Sequence, residues 1–143
     1  MAAIRTGTVK VDGLRELNAA LRDLGGNDLA KELTAASRQV AEFVAADAKA
    51  AAYSLGGVAA HVAPSIGVRA SRQSAGVALG GARYPMAGGA EFGSYRYRQF
   101  KPWRGNSSDA GYFVYPAIRR DADRIETEFT DAVGDLIKRV GLA

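Results

Sequence analysis

Glu91 is the only acid between Arg83 and Arg104, a span that holds five cations. It stands in "AGGAEFGS", between small residues and Phe-Gly. A carboxylate that works as a general acid or base, or as one half of a glycoside-cleaving pair, needs a second titratable group in reach. No second acid accompanies it. The single histidine, His61, lies in "GGVAAHVAPS" with no acid close by in sequence, so a nucleophile–base–acid triad lacks its members. One histidine also rules out a two-histidine zinc motif. The chain has no cysteine, which removes disulfides and thiolate metal sites. Asp121 and Asp123 are two residues apart on an expected helix and so point to different faces, which does not make a metal pair. "LGG" and "AGG" lack the Lys-Ser/Thr of a phosphate loop. The residues predict no catalytic set, no cofactor and no metal, and hence a chain that is not an enzyme.

The other conspicuous chemistry surrounds Glu91. "GGAEFGSYRYRQFKPWRG" (88–105) carries Phe92, Tyr95, Tyr97, Phe100 and Trp103, with Arg96, Arg98, Lys101 and Arg104 threaded between them. The net charge of +4 is concentrated there, because the rest of the chain balances 14 cations against 14 acids. Aromatics interleaved with Arg and Lys can stack bases and neutralise phosphates. Tyr, Trp and Arg are also the types enriched at protein–protein hot spots. A dedicated nucleic-acid domain has a broader basic face than this chain offers. A lone tryptophan left in water is costly, which argues against an idle loop. The residue types therefore favour an assembly surface first, with a small nucleic-acid-binding module using residues 95–104 as the alternative.

The elements that must position these residues are read from periodicity. "IRTGTVKV" (4–11) predicts a strand with Ile4, Val9 and Val11 inward. Asp12 would cap a short helix bearing Leu14, Leu17, Leu21 and Leu24, stopped by Gly25-Gly26. Asn27 or Asp28 would then cap a long helix with Leu29, Leu33, Ala36, Val40, Phe43 and Val44 on one face, ending at Gly56-Gly57. Its alanine-rich end permits close approach by a neighbour. "SIGVRAS" and "AGVALGG" predict an antiparallel hairpin turned at "RQS", with Ile66, Val68, Val77 and Leu79 alternating. Residues 83–110 read as a long inserted loop, a length that is usually functional or disordered. "GYFVYP" (111–116) predicts a short strand. Pro116 suits the first turn of a last helix, on which Ile118, Ala122, Ile125, Phe129, Ala132, Leu136 and Val140 recur. Gly141 is a natural stop, and Lys138 and Arg139 suit the negative end of that helix. Arg119 and Arg120 would sit at its positive end, which calls for a partner charge. The expected fold is one α+β domain over 1–143: a small antiparallel sheet packed with two long helices and one short helix, with a long basic-aromatic loop.

Composition agrees with a folded chain: 143 residues, 48% hydrophobic and 24% charged. No run approaches the roughly 18 apolar residues that cross a bilayer. "MAAIRTGTVKVDG" lacks the apolar core of a signal peptide, so a soluble protein made in a cytoplasm is expected.

Three segments together resemble a known family. "VDGLRELNAALRDL" (11–24) looks like the opening of the small head–tail joining, or tail-completion, proteins of long-tailed bacteriophages, where a strand leads into "GL-x-E-L" and a short helix. "AGGAEFGS" (87–94) resembles that family's central "VEFGT" signature, with Ser94 in place of the threonine and Ala90 before the acid. "GYFVYPAIRRDADRI" (111–125) resembles its "PF-L-x-P-A-L" segment leading into the last helix. Their order and spacing also agree. The insertion between the second and third segments is longer and more basic than the family's.

The resemblance implies a structural virion protein. It would assemble in the host bacterial cytoplasm as a homo-oligomeric ring, expected to be a hexamer, at the neck. Its neighbours would be the connector or stopper on the head side and the tail-terminator or tail-tube proteins, with genomic DNA in the channel as a further candidate contact and no membrane. The expected assembly residues are Glu91, Phe92, Gly93, Tyr95, Arg96, Tyr97, Arg98, Lys101, Trp103, Arg104, Arg119 and Arg120. Glu91 is expected to pair with a cation. An acidic patch on the last helix, with Glu126, Glu128, Asp131 and Asp135, is the expected complement to the basic loop.

Overall fold

The computed structural model describes residues 4–9, 14–70, 75–107 and 109–139. The chain is an α+β fold in which a three-stranded antiparallel sheet packs on one long helix. Strand β1 (Ile4–Val9) is followed by helix α1 (Leu14–Leu55), the short helix α2 (Gly57–Val62) and a single 3₁₀ turn at Ala63–Ser65. Strands β2 (Gly67–Ala70) and β3 (Ala75–Leu79) come next, then helices α3 (Ala87–Phe92), α4 (Val114–Arg120) and α5 (Ala122–Arg139).

The hairpin expected from the alternating residues is present. Val68 pairs with Val77 and Gly67 with Ala78. Strand β1 adds to the other side of β3, with Ile4 opposite Leu79, which gives the order β1-β3-β2. Ile66, Val77 and Leu79 are buried and Val68 is half-buried. The expected turn at 72–74, the Asp12 cap, Val11, Val140 and Gly141 lie outside the described residues, as do the side chains of Ile4, Val9, Leu14, Leu17, Leu21 and Leu24.

Helix α1 departs from the expected pair of helices. It runs through Gly25, Gly26, Asn27 and Asp28 without a break, so the short first helix and the long second one are a single element. A glycine costs only about 1 kcal/mol relative to alanine inside a helix. No proline interrupts the segment, and the flanking Leu, Ala, Arg, Lys and Glu are good helix formers, so two glycines do not end it. Its buried stripe holds Leu29, Leu33, Val40 and Val44, as expected, and continues through Ala41, Ala45, Ala48 and Ala52. These alanines let the sheet approach the helix closely, since β2 and β3 both pack on α1.

The last helix is also divided. Helix α4 ends at Arg120 and α5 starts at Ala122, with Asp121 as the turn between them. Ile125, Phe129 and Leu136 of α5 are buried in the core beside Phe113, Val114 and Ala117. The division moves Arg119 and Arg120 from the positive end of one long helix to the last turn of α4, where the helix dipole favours them.

"GYFVYP" is not a strand. Val114, Tyr115 and Pro116 are the first three residues of α4. The aromatic and β-branched run, and the extended preference of a residue before proline, both point to a strand. The local preference is overridden by a capping contact described below. The expected loop 83–110 likewise contains helix α3, and the remainder is irregular.

Candidate functional site

Glu91 is fully buried, near the end of α3. Its carboxylate does not meet a cation. Oε2 accepts the backbone N–H of Phe113 at 3.2 Å and of Val114 at 2.9 Å, and Oε1 accepts that of Tyr115 at 3.1 Å. These are the donors that a helix start leaves unpaired. The next residue, Pro116, has no N–H, and Ala117 already donates to the Phe113 carbonyl at 3.2 Å. One carboxylate therefore satisfies every free donor of the first turn of α4, with its negative charge at the positive end of the helix. Burial pushes the Glu91 carboxyl up from its ordinary range, while the N–H bonds from Val114, Tyr115, Phe113 and Tyr112 pull it back. Gly111 completes the seat, because a Cβ there would collide with Glu91 Oε1. The expected cation partner is thus replaced by a helix start.

Gly93 ends α3 with φ 84°, a left-handed conformation that disfavours other residues. A Cβ on Gly93 would run into the carbonyl of Pro102. The chain leaves and returns at this point: Ser94 N–H donates to the Lys101 carbonyl at 2.9 Å, and Arg104 N–H to the Phe92 carbonyl at 3.0 Å. Phe92 is half-buried, with its ring centroid 6.0 Å from that of Tyr115. The loop is therefore a closed excursion clamped at its base.

The excursion carries the aromatic and basic residues outward. Tyr95 is 88% exposed, and its ring lies 5.8 Å from that of Trp103, which is 37% exposed. Tyr97 is exposed and meets the half-buried Phe100 edge-on at 6.4 Å. Arg96 lies 5.9 Å from the centre of the Tyr97 ring. Arg104 stacks on Tyr112 at 3.8 Å and donates to the Gly111 carbonyl at 3.2 Å, while Lys101 lies 5.8 Å from the same ring. The Tyr112 hydroxyl donates to the Pro102 carbonyl at 2.7 Å. Arg98 and Lys101 line a cavity of about 260 Å³ against Leu55–Ala59. Among the described residues the ion pairs are Arg38–Glu42 and Arg124–Glu128, and neither includes a cation of the loop.

The structure thus groups Tyr95, Tyr97, Trp103, Arg96, Arg98 and Lys101 on one exposed excursion. Glu91 and Gly93 are interior framework beneath it. Arg119 donates to the Ala110 carbonyl at 2.8 Å at the end of the loop, and Arg120 is exposed. Sequence reasoning missed Tyr112, whose ring and hydroxyl hold the loop from outside, and the Asp47–Asp121 contact between α1 and the α4–α5 turn. Burial and the neighbouring Asp47 carboxyl push Asp121 up to about 6. The Oδ2 atom of Asp121 is out of water without a hydrogen-bond partner among the described residues.

Among the described residues no three acidic, histidine or cysteine side chains are placed to hold a metal ion. No described helix is long and apolar enough to cross a membrane. Comparison with protein-family models, curated proteins and solved structures finds no match to this chain.

Proposed function

We propose that this chain is a structural protein of a bacteriophage neck, a tail-completion or head–tail connector protein that assembles as a ring between head and tail. The reading begins from the resemblance of three segments. One observation carries it further. Two of those segments, 87–94 and 111–125, are bonded to each other through Glu91 and the N–H groups of Phe113, Val114 and Tyr115. The motif residues thus form a clamp, and what the clamp presents is a loop rich in hot-spot residue types whose cations belong to no ion pair among the described residues. A subunit that spends its signature residues on holding out such a loop is suited to meet other subunits. Ring subunits, connector and tail proteins are the partners that this function supplies.

The test is assembly. Native mass spectrometry of the purified protein should give one closed oligomer, and antibody labelling of virions should mark the head–tail junction. Replacing Arg96, Arg98 and Lys101 with glutamine should reduce the joining of heads to tails. Labelling confined to capsid faces or tail fibres, with joining unaffected by the loop variant, would overturn the reading.

The exposed Tyr95–Trp103 pair, in a loop that also carries Arg96, Arg98 and Lys101, favours a second reading, a single-stranded nucleic-acid-binding module. It requires DNA binding with a steep inverse dependence on salt, and no ring.

A further inference from the structure

A second surface on the same chain has the chemistry to receive the loop. Helices α1 and α5 leave a groove of about 280 Å³ between them, floored by Ala35, Ala36, Ala132 and Leu136 and flanked by Glu32 and Asp135. The alanines make the floor shallow and apolar, a shape on which an aromatic ring can lie flat. On α5, Glu128, Asp131 and Asp135 follow one another at spacings of three and four, which places them in a column along one side of the helix. Between Asp123 and Lys138 the helix has five acids and two cations, whereas residues 94–104 have four cations and no acid. Glu128 is already paired with Arg124 at 2.9 Å. Asp131 and Asp135 belong to no ion pair among the described residues.

The loop cannot reach this groove within one chain. Arg98 and Lys101 sit against Leu55 and the start of α2, while the groove's α1 lining ends at Gln39. The intervening stretch of α1 rises roughly 24 Å at 1.5 Å per residue. The donor and acceptor surfaces are therefore two different patches set well apart along α1, the arrangement of a head-to-tail contact that closes into a ring or continues as a filament.

We infer that the α1–α5 groove receives the basic aromatic loop of a second copy of this chain. Trp103 lies on the alanine floor, and Arg96, Arg98 and Lys101 meet Asp131 and Asp135. This rests on reading the loop as an assembly surface and names the surface that it meets.

The experiment is a charge exchange followed by sedimentation velocity at low salt. One variant carries Arg96→Glu, Arg98→Glu and Lys101→Glu, and the other Asp131→Lys and Asp135→Lys. All five positions are exposed, and circular dichroism checks that each variant keeps its helix. If either loses helix, the Arg/Lys→Gln and Asp→Asn versions replace them in the same comparison with wild type, each expected to weaken association at least tenfold. Each reversed variant alone should be monomeric at concentrations where the wild type associates. An equimolar mixture should associate again, because each loop then finds a groove of opposite charge. A mixture that stays monomeric overturns the inference. So does wild-type-like assembly of the Asp131/Asp135 variant, in either version; if the loop variant is then monomeric, the assembly reading stands with a different receiving surface. A wild-type protein that is monomeric at every concentration and binds single-stranded DNA overturns the groove contact and favours the nucleic-acid module. Head–tail joining in particles, measured separately, decides the neck assignment.

Discussion

The Glu91 carboxylate accepts the backbone N–H of Val114 at 2.9 Å, across 23 residues of chain. This bond and its neighbours to Phe113 and Tyr115 tie the end of α3 to the start of α4 inside the core. Glu91→Ala should leave two buried donors and the half-buried Tyr115 N–H unpaired, and a void beneath Gly111. Hydrogen bonds to charged groups are each worth about 1.5–3 kcal/mol, and unpaired buried groups cost about as much, so a loss of about 3 kcal/mol or more is expected. Glu91→Gln keeps one acceptor oxygen but turns an amide N–H₂ toward donors, and should fall between the two. Urea denaturation measures both. A Glu91→Ala protein within about 0.5 kcal/mol of wild type would show that the cap does not hold this region together.

Gly93→Ala tests the clamp from the other side. The residue has φ 84°, and an added Cβ meets the Pro102 carbonyl. Strain of this kind costs on the order of 1–3 kcal/mol, and the chain can relieve it only by separating residues 93–94 from 101–102. Trp103, the only tryptophan, reports on that separation. A lower melting temperature with a red-shifted emission is expected. An unchanged emission maximum with unchanged stability would contradict the clamp.

Asp121 sets a pH dependence. Its carboxyl is pushed up to about 6 by burial and by Asp47, from an ordinary value of 3.8. Between these values the folded chain holds a proton that the unfolded chain has released. Stability should therefore be greatest below about pH 4, as far as this group is concerned, and fall as pH rises to about 6. Asp47→Asn removes the neighbouring charge and should flatten that decline, bringing the Asp121 titration lower. Urea midpoints measured from pH 4 to 7 in both proteins give the comparison. Parallel profiles in wild type and Asp47→Asn would rule out the pair as the cause.

These contacts show where the sequence was readable. The hairpin and the stripes of α1 and α5 were legible because side-chain periodicity is a local property: Val68 and Val77, or Leu29, Leu33 and Val40, announce their faces within a few residues. The Gly25-Gly26 pair misled because a glycine's helix cost is small beside the packing of a long apolar stripe. "GYFVYP" misled more deeply. Its aromatic and β-branched residues have strand preference, and what makes Val114–Pro116 helical is a carboxylate more than twenty residues away. No window along the chain contains that contact. The same distance hid the role of Glu91, which in sequence is a lone acid among cations and in the fold faces N–H groups instead. The exposed loop was legible as a surface because its composition, unlike its conformation, needs no partner to be read.

Trp103→Ala should separate stability from assembly. The side chain is 37% exposed, and its ring lies 5.8 Å from that of the more exposed Tyr95. The loop backbone is held by other means: the bonds of Ser94 and Arg104, the Tyr112 hydroxyl and the Arg104 stack. Removing the indole should therefore cost the isolated subunit about 1 kcal/mol or less, within the range of a partly exposed substitution. At an interface the same truncation removes a large apolar anchor, and hot-spot losses are about 2 kcal/mol or more, which is a factor of about 30 in association. The urea midpoint should barely move while the concentration needed for assembly rises by at least that factor. The wild-type emission should shift to the blue as subunits associate, since the indole leaves water. If Trp103→Ala assembles at wild-type concentration and wild-type emission is unchanged on association, the tryptophan is no anchor and the excursion above Gly93 does not dock through it.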